Sequence, residues 1–233
     1  MASSLRPRGA LLASALLLSA CALQRAPAMS RRTPDEPARF TSAHAAPAPP
    51  DPAEEPVAGS DPVPGSDIVR ARASVLVRAS AARVRAILFD CPSYPSWLPS
   101  YRACTDLGPS PGGGRLWRMD IEELGGLLKL WLRAEVVKVS SADGVEVYEG
   151  RYVDGNIKTF SSRWRLEATD RGFTRLSIES HLDPKLPIPS ALINSGSVDG
   201  IRAAIVAIKQ RAEQGGGPAV ETDPFAKQPA PAK

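Results

Sequence analysis

Few residues in this 233-residue chain are equipped for chemistry. There are two histidines, His44 and His181, and three cysteines, Cys21, Cys91 and Cys104. No CxxC, HExxH or Cys/His cluster supplies the ligand spacing of a zinc site, and no GxSxG turn exposes a nucleophilic serine. GxGxxG and Walker A patterns are absent too, and the glycine runs Gly112–Gly114 and Gly215–Gly217 read as loops. His181 shares a strand parity with Glu179 and Asp183, which puts it on a polar surface row; a dyad with Asp183 is the weaker reading. Arg133, Glu149 and Arg151 read as exposed strand residues; the alternative is that one of them points inward and pairs with a polar ligand head. Alternation leaves Glu149 and Arg151 on the side of Val145, Val147 and Val153, and a bulge near Gly150 would reverse this. The sequence names no catalytic residue, no metal ligand and no cofactor.

The elements that must position these residues follow from periodicity. Ile68 to Arg78 alternates, with Val69, Ala71, Ala73, Val75 and Val77 on one face and Arg70, Arg72, Ser74 and Arg78 on the other, the pattern of a half-buried strand. Ser80 is a good N-cap, and Val84, Ile87 and Leu88 follow at helical spacing. Pro92, Pro95 and Pro99 then leave room only for a short helical turn carrying Tyr94, Trp97 and Leu98. Period two returns six times, over Tyr101 to Leu107, Trp117 to Ile121, Leu128 to Val136, Val145 to Val153, Phe160 to Ala168 and Leu176 to Leu182. Six successive strands with short turns make an antiparallel meander. Pro184, Pro187 and Pro189 end the sheet. From Ser190 the period is helical, with Val198, Ile201, Ala204, Ile205, Ile208 and Ala212 in one stripe and Arg202, Lys209 and Arg211 off it. Gly200 sits in that helix at a cost of about 1 kcal/mol against Ala; close approach or curvature would account for it.

Composition sets the boundaries. Residues 22–67 hold ten Pro and ten Ala in 46 positions, and no period survives there, so 21–67 reads as a disordered tether. The Gly, Pro and Ala-rich 214–233 reads as a disordered tail. Residues 68–213 carry 21 basic against 16 acidic side chains, a net +5 spread along the chain, and are long enough for one well-cored domain. The whole chain is +4 with a pI of about 9.1. It shows neither a clustered basic face nor an aromatic–basic motif, so no nucleic-acid partner is expected. The 22 Arg against 7 Lys fit GC-rich coding better than phosphate recognition.

Arg6 and Arg8 precede the apolar stretch Ala10 to Leu18, which is too short to span a bilayer and right for the h-region of a signal. Leu18-Ser19-Ala20-Cys21 follows at once and resembles the lipobox of bacterial lipoproteins, whose cysteine is diacylated and becomes the new N-terminus. That resemblance implies a signal peptide over 1–20 and a lipid anchor at Cys21. Ala22, where an Asp is absent, implies the outer membrane of the cell envelope, facing the periplasm. Ordinary secretion, cleaved among the same small residues, is the alternative. Two acyl chains anchor stably where one does not. In an oxidising compartment Cys91 and Cys104, which flank the Pro-rich turn, are either disulfide-bonded or two small buried hydrophobes.

The order of strand, two short helices, six-stranded meander and long helix resembles the START-like helix-grip superfamily, also called SRPBCC, which includes polyketide cyclase-like and lipid-transfer domains. The local text agrees. Phe89-Asp90-Cys91-Pro92-Ser93-Tyr94-Pro95-Ser96-Trp97-Leu98-Pro99 looks like the family's D-x-x-x-Y-P-x-W-x-P segment. Trp164-Arg165-Leu166 with Gly172-Phe173-Thr174-Arg175-Leu176 looks like its W-x-L … G-x-T-R-L hairpin. The resemblance covers 68–213 and implies an α+β fold in which a curved sheet grips the C-terminal helix around an apolar cavity. Trp117, Met119, Trp164, Leu176 and Ile178 would face inward beneath Ile201, Ala204, Ile205 and Ile208, the alternative being a solid core. No family catalytic residue is found to carry over. The function implied is a monomeric, membrane-tethered module that binds, and by extension transfers, a lipid or other hydrophobic small molecule. Two rivals stand beside it. A cyclase- or dehydratase-like enzyme needs a buried ionisable group with perturbed protonation; an interaction protein with a vestigial cavity needs a filled core and an exposed apolar patch.

Overall fold

Alternating apolar and polar residues build one sheet in the computed structural model, which describes residues 54–123, 126, 128–185, 187–215 and 223–225. Its strands are β1 (Val57–Val63), β2 (Ser66–Val77), β3 (Tyr101–Pro109), β4 (Arg115–Glu123), β5 (Leu128–Ala142), β6 (Val145–Gly155), β7 (Ile157–Ala168) and β8 (Thr174–Pro184). They lie in the order β1-β2-β8-β7-β6-β5-β4-β3, each antiparallel to its neighbours. The last six form the expected meander, and β8 returns beside β2.

Two expected boundaries move. Residues 57–63, assigned to the tether, form β1, which pairs with β2 from Val57 opposite Ser74 to Val63 opposite Ser66. Gly65, at φ 74°, makes the tight turn between them. β1 is an edge strand, where proline is tolerated, and its register with β2 shifts between Asp61 and Val63, where Pro62 stands. Proline content therefore hid a strand that only an edge tolerates. At the other end, Asp223 and Phe225 of the expected disordered tail pack on the core. An acidic and an aromatic residue have specific partners there, which the Gly, Pro and Ala around them concealed.

Between β2 and β3 the chain makes α1 (Ala81–Leu88), whose N-cap Ser80 accepts the Arg83 amide at 3.2 Å, and a 3-10 turn over Cys91–Ser96. The Tyr94 hydroxyl donates to the Leu88 carbonyl. Cys91 and Cys104 are joined as a disulfide, which pins the turn to β3. After β8 comes α2 (Ser190–Glu213), which buries Ile201, Ile205, Ile208 and Ala212. It packs chiefly on β2, with lesser contact to α1, β1 and β8. Polar clasps hold both ends. Asn194 accepts the Val69 amide and donates to the Asp67 carbonyl, each at 3.0 Å. Lys209 donates to the Leu76 carbonyl at 2.8 Å and pairs with Glu213 at 2.6 Å, and Glu213 accepts the Arg78 amide. Gly200 serves neither close approach nor a turn, since a Cβ there would meet nothing within 4 Å.

Candidate functional site

Three elements cover the inner face of the sheet, and two of them, α1 and α2, touch each other. α2 covers the β1, β2 and β8 side. The 3-10 turn lies on β3, and α1 reaches β7. This divides the residues expected to line one cavity. Leu176 and Ile178 lie on β8, which α2 contacts, as do Ile201, Ile205 and Ile208 of α2 itself; all five are buried. Trp117 and Met119 lie on β4 in the other half. The Trp117 ring stands 5.9 Å from Phe89 and 6.2 Å from Tyr94. Trp164 and Ala204 are half-buried at the margin of the same apolar core.

Register defines what lies on the inner face of β6, β7 and β8. Ile178, Trp164 and Tyr148 stand opposite one another, and so do Leu176, Leu166 and Glu146. Between the large Ile178–Trp164–Tyr148 row and the Leu182–Phe160 pair runs a row of small residues, Ser180, Ser162 and Gly150. This is a trough in an otherwise bulky surface. The rings of Trp164 and Phe160 lean into it, reaching 3.1 and 3.3 Å from where a Gly150 Cβ would be. Tyr152, Phe160, Trp164 and Leu182 are only half-buried, as are Val198, Ala204 and Ala207 on α2. An apolar, aromatic-rich floor is thus left partly open beside α2. Inside this layer Ser162 Oγ has no hydrogen-bond partner, and neither has Trp117 Nε1 on β4 in the other half of the sheet. Buried donors and acceptors are rarely left so.

At one end of the floor lies a polar cluster that alternation did not suggest. Glu146 accepts from Arg85 of α1 at 2.6 Å and from the Tyr148 hydroxyl at 2.7 Å, and Lys138 of β5 stands 3.8 Å from it. Tyr148 is fully buried. The sequence expectation placed Val145, Val147 and Val153 on the parity that includes Glu149 and Arg151, and that parity is the outer face of β6; Val153 is exposed. The inner face carries Glu146, Tyr148, Gly150 and Tyr152. The signal available was Gly150 flanked by Tyr148 and Tyr152 on one parity. Burial and Glu146 push the Tyr148 phenol well above its ordinary range. Burial pulls the Arg85 guanidinium down, but Glu146 outweighs it and the group stays cationic. Burial likewise raises Tyr94, whose hydroxyl is committed to Leu88. Neither phenol supplies a base at neutral pH.

The remaining candidates lie outside. Glu149 and Arg151 pair with each other at 3.0 Å and, with Arg70, Ser161, Arg163 and Glu179, line an outer depression of about 280 Å³. Arg133 is bound to Asp154. His181, expected at the surface, is instead buried. β8 is flanked on both sides by β2 and β7, and the ring Nδ1 lies 3.2 Å from the Val69 carbonyl. Asp183 pairs with Lys158 at 3.0 Å, so the two do not form a dyad. Among the described residues no three His, Cys, Asp or Glu gather closely enough to hold a metal ion. Cys21 lies outside the described residues.

Residues 69–213 match the sequence profile of the family described as polyketide cyclase / dehydrase and lipid transport. The chain belongs to this family. Its fold is that of START domains. A START superfamily protein from Mycobacterium smegmatis is 21% identical with a TM-score of 0.54, over 62% of this chain and 97% of that one. A STAR-related lipid transfer protein from Xanthomonas axonopodis is 19% identical with a TM-score of 0.61, over 69% and 95%. Human StAR-related lipid transfer protein 5 is 12% identical with a TM-score of 0.58, over 69% and 83%. At these identities the likeness is one of fold. No match is found among curated proteins. The family membership and the helix-grip architecture expected from the sequence both hold.

Proposed function

We propose that this protein binds a lipid or other hydrophobic small molecule on the inner face of its sheet, tethered to the cell envelope through a diacylated Cys21. The observation that carries the reading is the half-open floor of Tyr152, Phe160, Trp164 and Leu182 beside α2, with Ser162 Oγ buried in that layer without a partner. Apolar walls with a few polar groups are what such ligands require, and family membership agrees. The lipobox supports the tether. Binding rather than catalysis is favoured because burial holds the Tyr94 and Tyr148 phenols protonated, and their hydroxyls are committed to Leu88 and Glu146.

Native mass spectrometry of the purified full chain, followed by quenching of tryptophan emission by a quinone or a fatty-acid probe, tests the binding. A copurifying hydrophobe, or saturable quenching, is expected. No bound molecule and no quenching would sink the reading. The tether is tested separately. Cys21→Ala should abolish palmitate labelling and move the protein out of the membrane fraction; continued labelling and sedimentation would place the anchor elsewhere.

A further inference from the structure

Asp223 and Phe225 return to the sheet and seat themselves on the polar cluster. The Phe225 ring stands 5.0 Å from Phe89, edge-on, and 5.3 Å from Tyr148. Asp223 Oδ2 lies 3.3 Å from Lys138 Nζ, while its Oδ1 accepts the Phe225 amide at 2.9 Å. The carboxylate and the ring are thereby held as one piece. A cavity of about 330 Å³ opens beside them, lined by Gly113, Lys138, Val139, Ser140, Ser141 and Phe225.

The seat pairs aromatic walls with charge. Phe89 and Tyr148, 4.5 Å apart, supply the walls. Arg85, Lys138 and Glu146 supply the charge, and Lys138 also lies over the Tyr148 ring at 5.6 Å. With Asp223 in place two cations face two carboxylates. Without it the seat is net positive, and Lys138 loses the nearer of its two carboxylates, 3.3 against 3.8 Å. Arg85 Nε is buried with no partner even when Asp223 is seated, so the cationic side holds an unused donor. Phe89 also continues toward the open floor, standing 6.3 Å from Trp164. A carboxylate joined to a hydrophobe, as Asp223 is to Phe225, is an anionic amphiphile in miniature.

We propose that Phe89, Tyr148, Lys138 and Arg85 form the head-group seat for a carboxylate amphiphile, and that Asp223–Phe225 occupies this seat in cis until such a ligand displaces it. The proposal rests on the reading of the inner face as a hydrophobic site and adds the head-group chemistry and a built-in competitor. The apparent affinity of a site is reduced by the fraction of time it is closed.

The test uses the full chain, the variants Phe225→Ala and Asp223→Asn, and two probes, cis-parinaric acid and its methyl ester, read by fluorescence titration. Both variants should bind the acid about tenfold more tightly than the parent. Phe225→Ala should prefer acid over ester, and adding Lys138→Met should remove that preference. Should Phe225→Ala melt early, Asp223→Asn, which keeps the ring, carries the comparison. Unchanged acid affinity in both tail variants, or equal binding of acid and ester by Phe225→Ala, overturns the seat while leaving the hydrophobic site standing. Absence of binding of either probe to parent and variants alike defeats both.

Discussion

Ser162→Ala removes one oxygen atom and nothing else from the trough. Ser162 is buried, its hydroxyl has no partner, and that hydroxyl lies 2.3 Å from where a Gly150 Cβ would be. An unpaired buried hydroxyl costs about 1–3 kcal/mol. The dispersion attraction that the oxygen makes with its neighbours amounts to a few atom pairs of about 0.1–0.2 kcal/mol each. Removing the oxygen should therefore stabilise the protein by about 1 kcal/mol, a rise of about 2–4 °C in Tm for a domain of this size. The urea midpoint should rise with an unchanged m-value. Binding should move the other way. If the hydroxyl is held free for a ligand's polar group, losing one hydrogen bond of about 1 kcal/mol weakens a polar-headed probe roughly fivefold. The assay is a pair of urea titrations and a pair of tryptophan-quenching titrations. A lower midpoint with unaltered binding would refute the reasoning, since it would mean that the hydroxyl is satisfied and structural.

Three further outcomes follow from the packing. Gly200→Ala places a methyl group in open space within α2 and should stabilise by about 1 kcal/mol, read as a higher urea midpoint; a fall would mean that the helix needs the glycine. Breaking Cys91–Cys104, across a sequence separation of 13, should cost about 3 kcal/mol on the chain-entropy estimate, read by comparing melts with and without reductant. In acid, Glu213 matters. Burial pulls its carboxyl up, but Lys209 and the Arg78 amide outweigh this and hold it below the ordinary range. Its stabilising effect is thus complete above the ordinary carboxylate range and lost as pH falls through the depressed value, so Lys209→Met should flatten the decline in urea midpoint between about pH 6 and about pH 3.

Where one physical pattern governed a segment, the sequence revealed it. The strands of the meander bury chiefly one parity over much of their length, so alternation located them, and Ser80 marked the start of α1 because a hydroxyl there satisfies a free amide. The misreadings share a cause, which is that two patterns overlapped. β1 carries Pro62 and lies at an edge, so its composition resembled linker. On β6 the valines suggested one face while Tyr148 and Tyr152 took the core. Val147 is buried on the outer side as well, so hydrophobicity alone could not assign the faces. Parity puts His181 at the surface because parity is blind to β8 having a neighbour on each side. The candidate site was legible as a set of apolar residues but not as a geometry. Nothing in the spacing of Trp117 and Ile205 says that α2 packs on β1, β2 and β8 while β4 lies far across the sheet.

That division bears on which part of the molecule can yield to a ligand. α2 is clasped to β2 near both ends by Asn194, Lys209 and Glu213, and its buried isoleucines leave no slack at Ile205. α1 is capped by Ser80 at its start, and beyond its end the chain is fixed by the Cys91–Cys104 disulfide. Moving either helix breaks several of these ties together. The half-buried rings of Phe160 and Trp164 are held by packing alone over the small residues of the trough. Rotating such side chains is a faster and smaller event than displacing a helix. The small row Ser180–Ser162–Gly150 gives those rings their present resting place, and on swinging out of it they would leave a channel floored by backbone, two serine hydroxyls and one glycine. Gly150 then has a second reason to lack a side chain: a Cβ there would meet Ser162 Oγ at 2.3 Å, which closes the trough whichever way the rings turn.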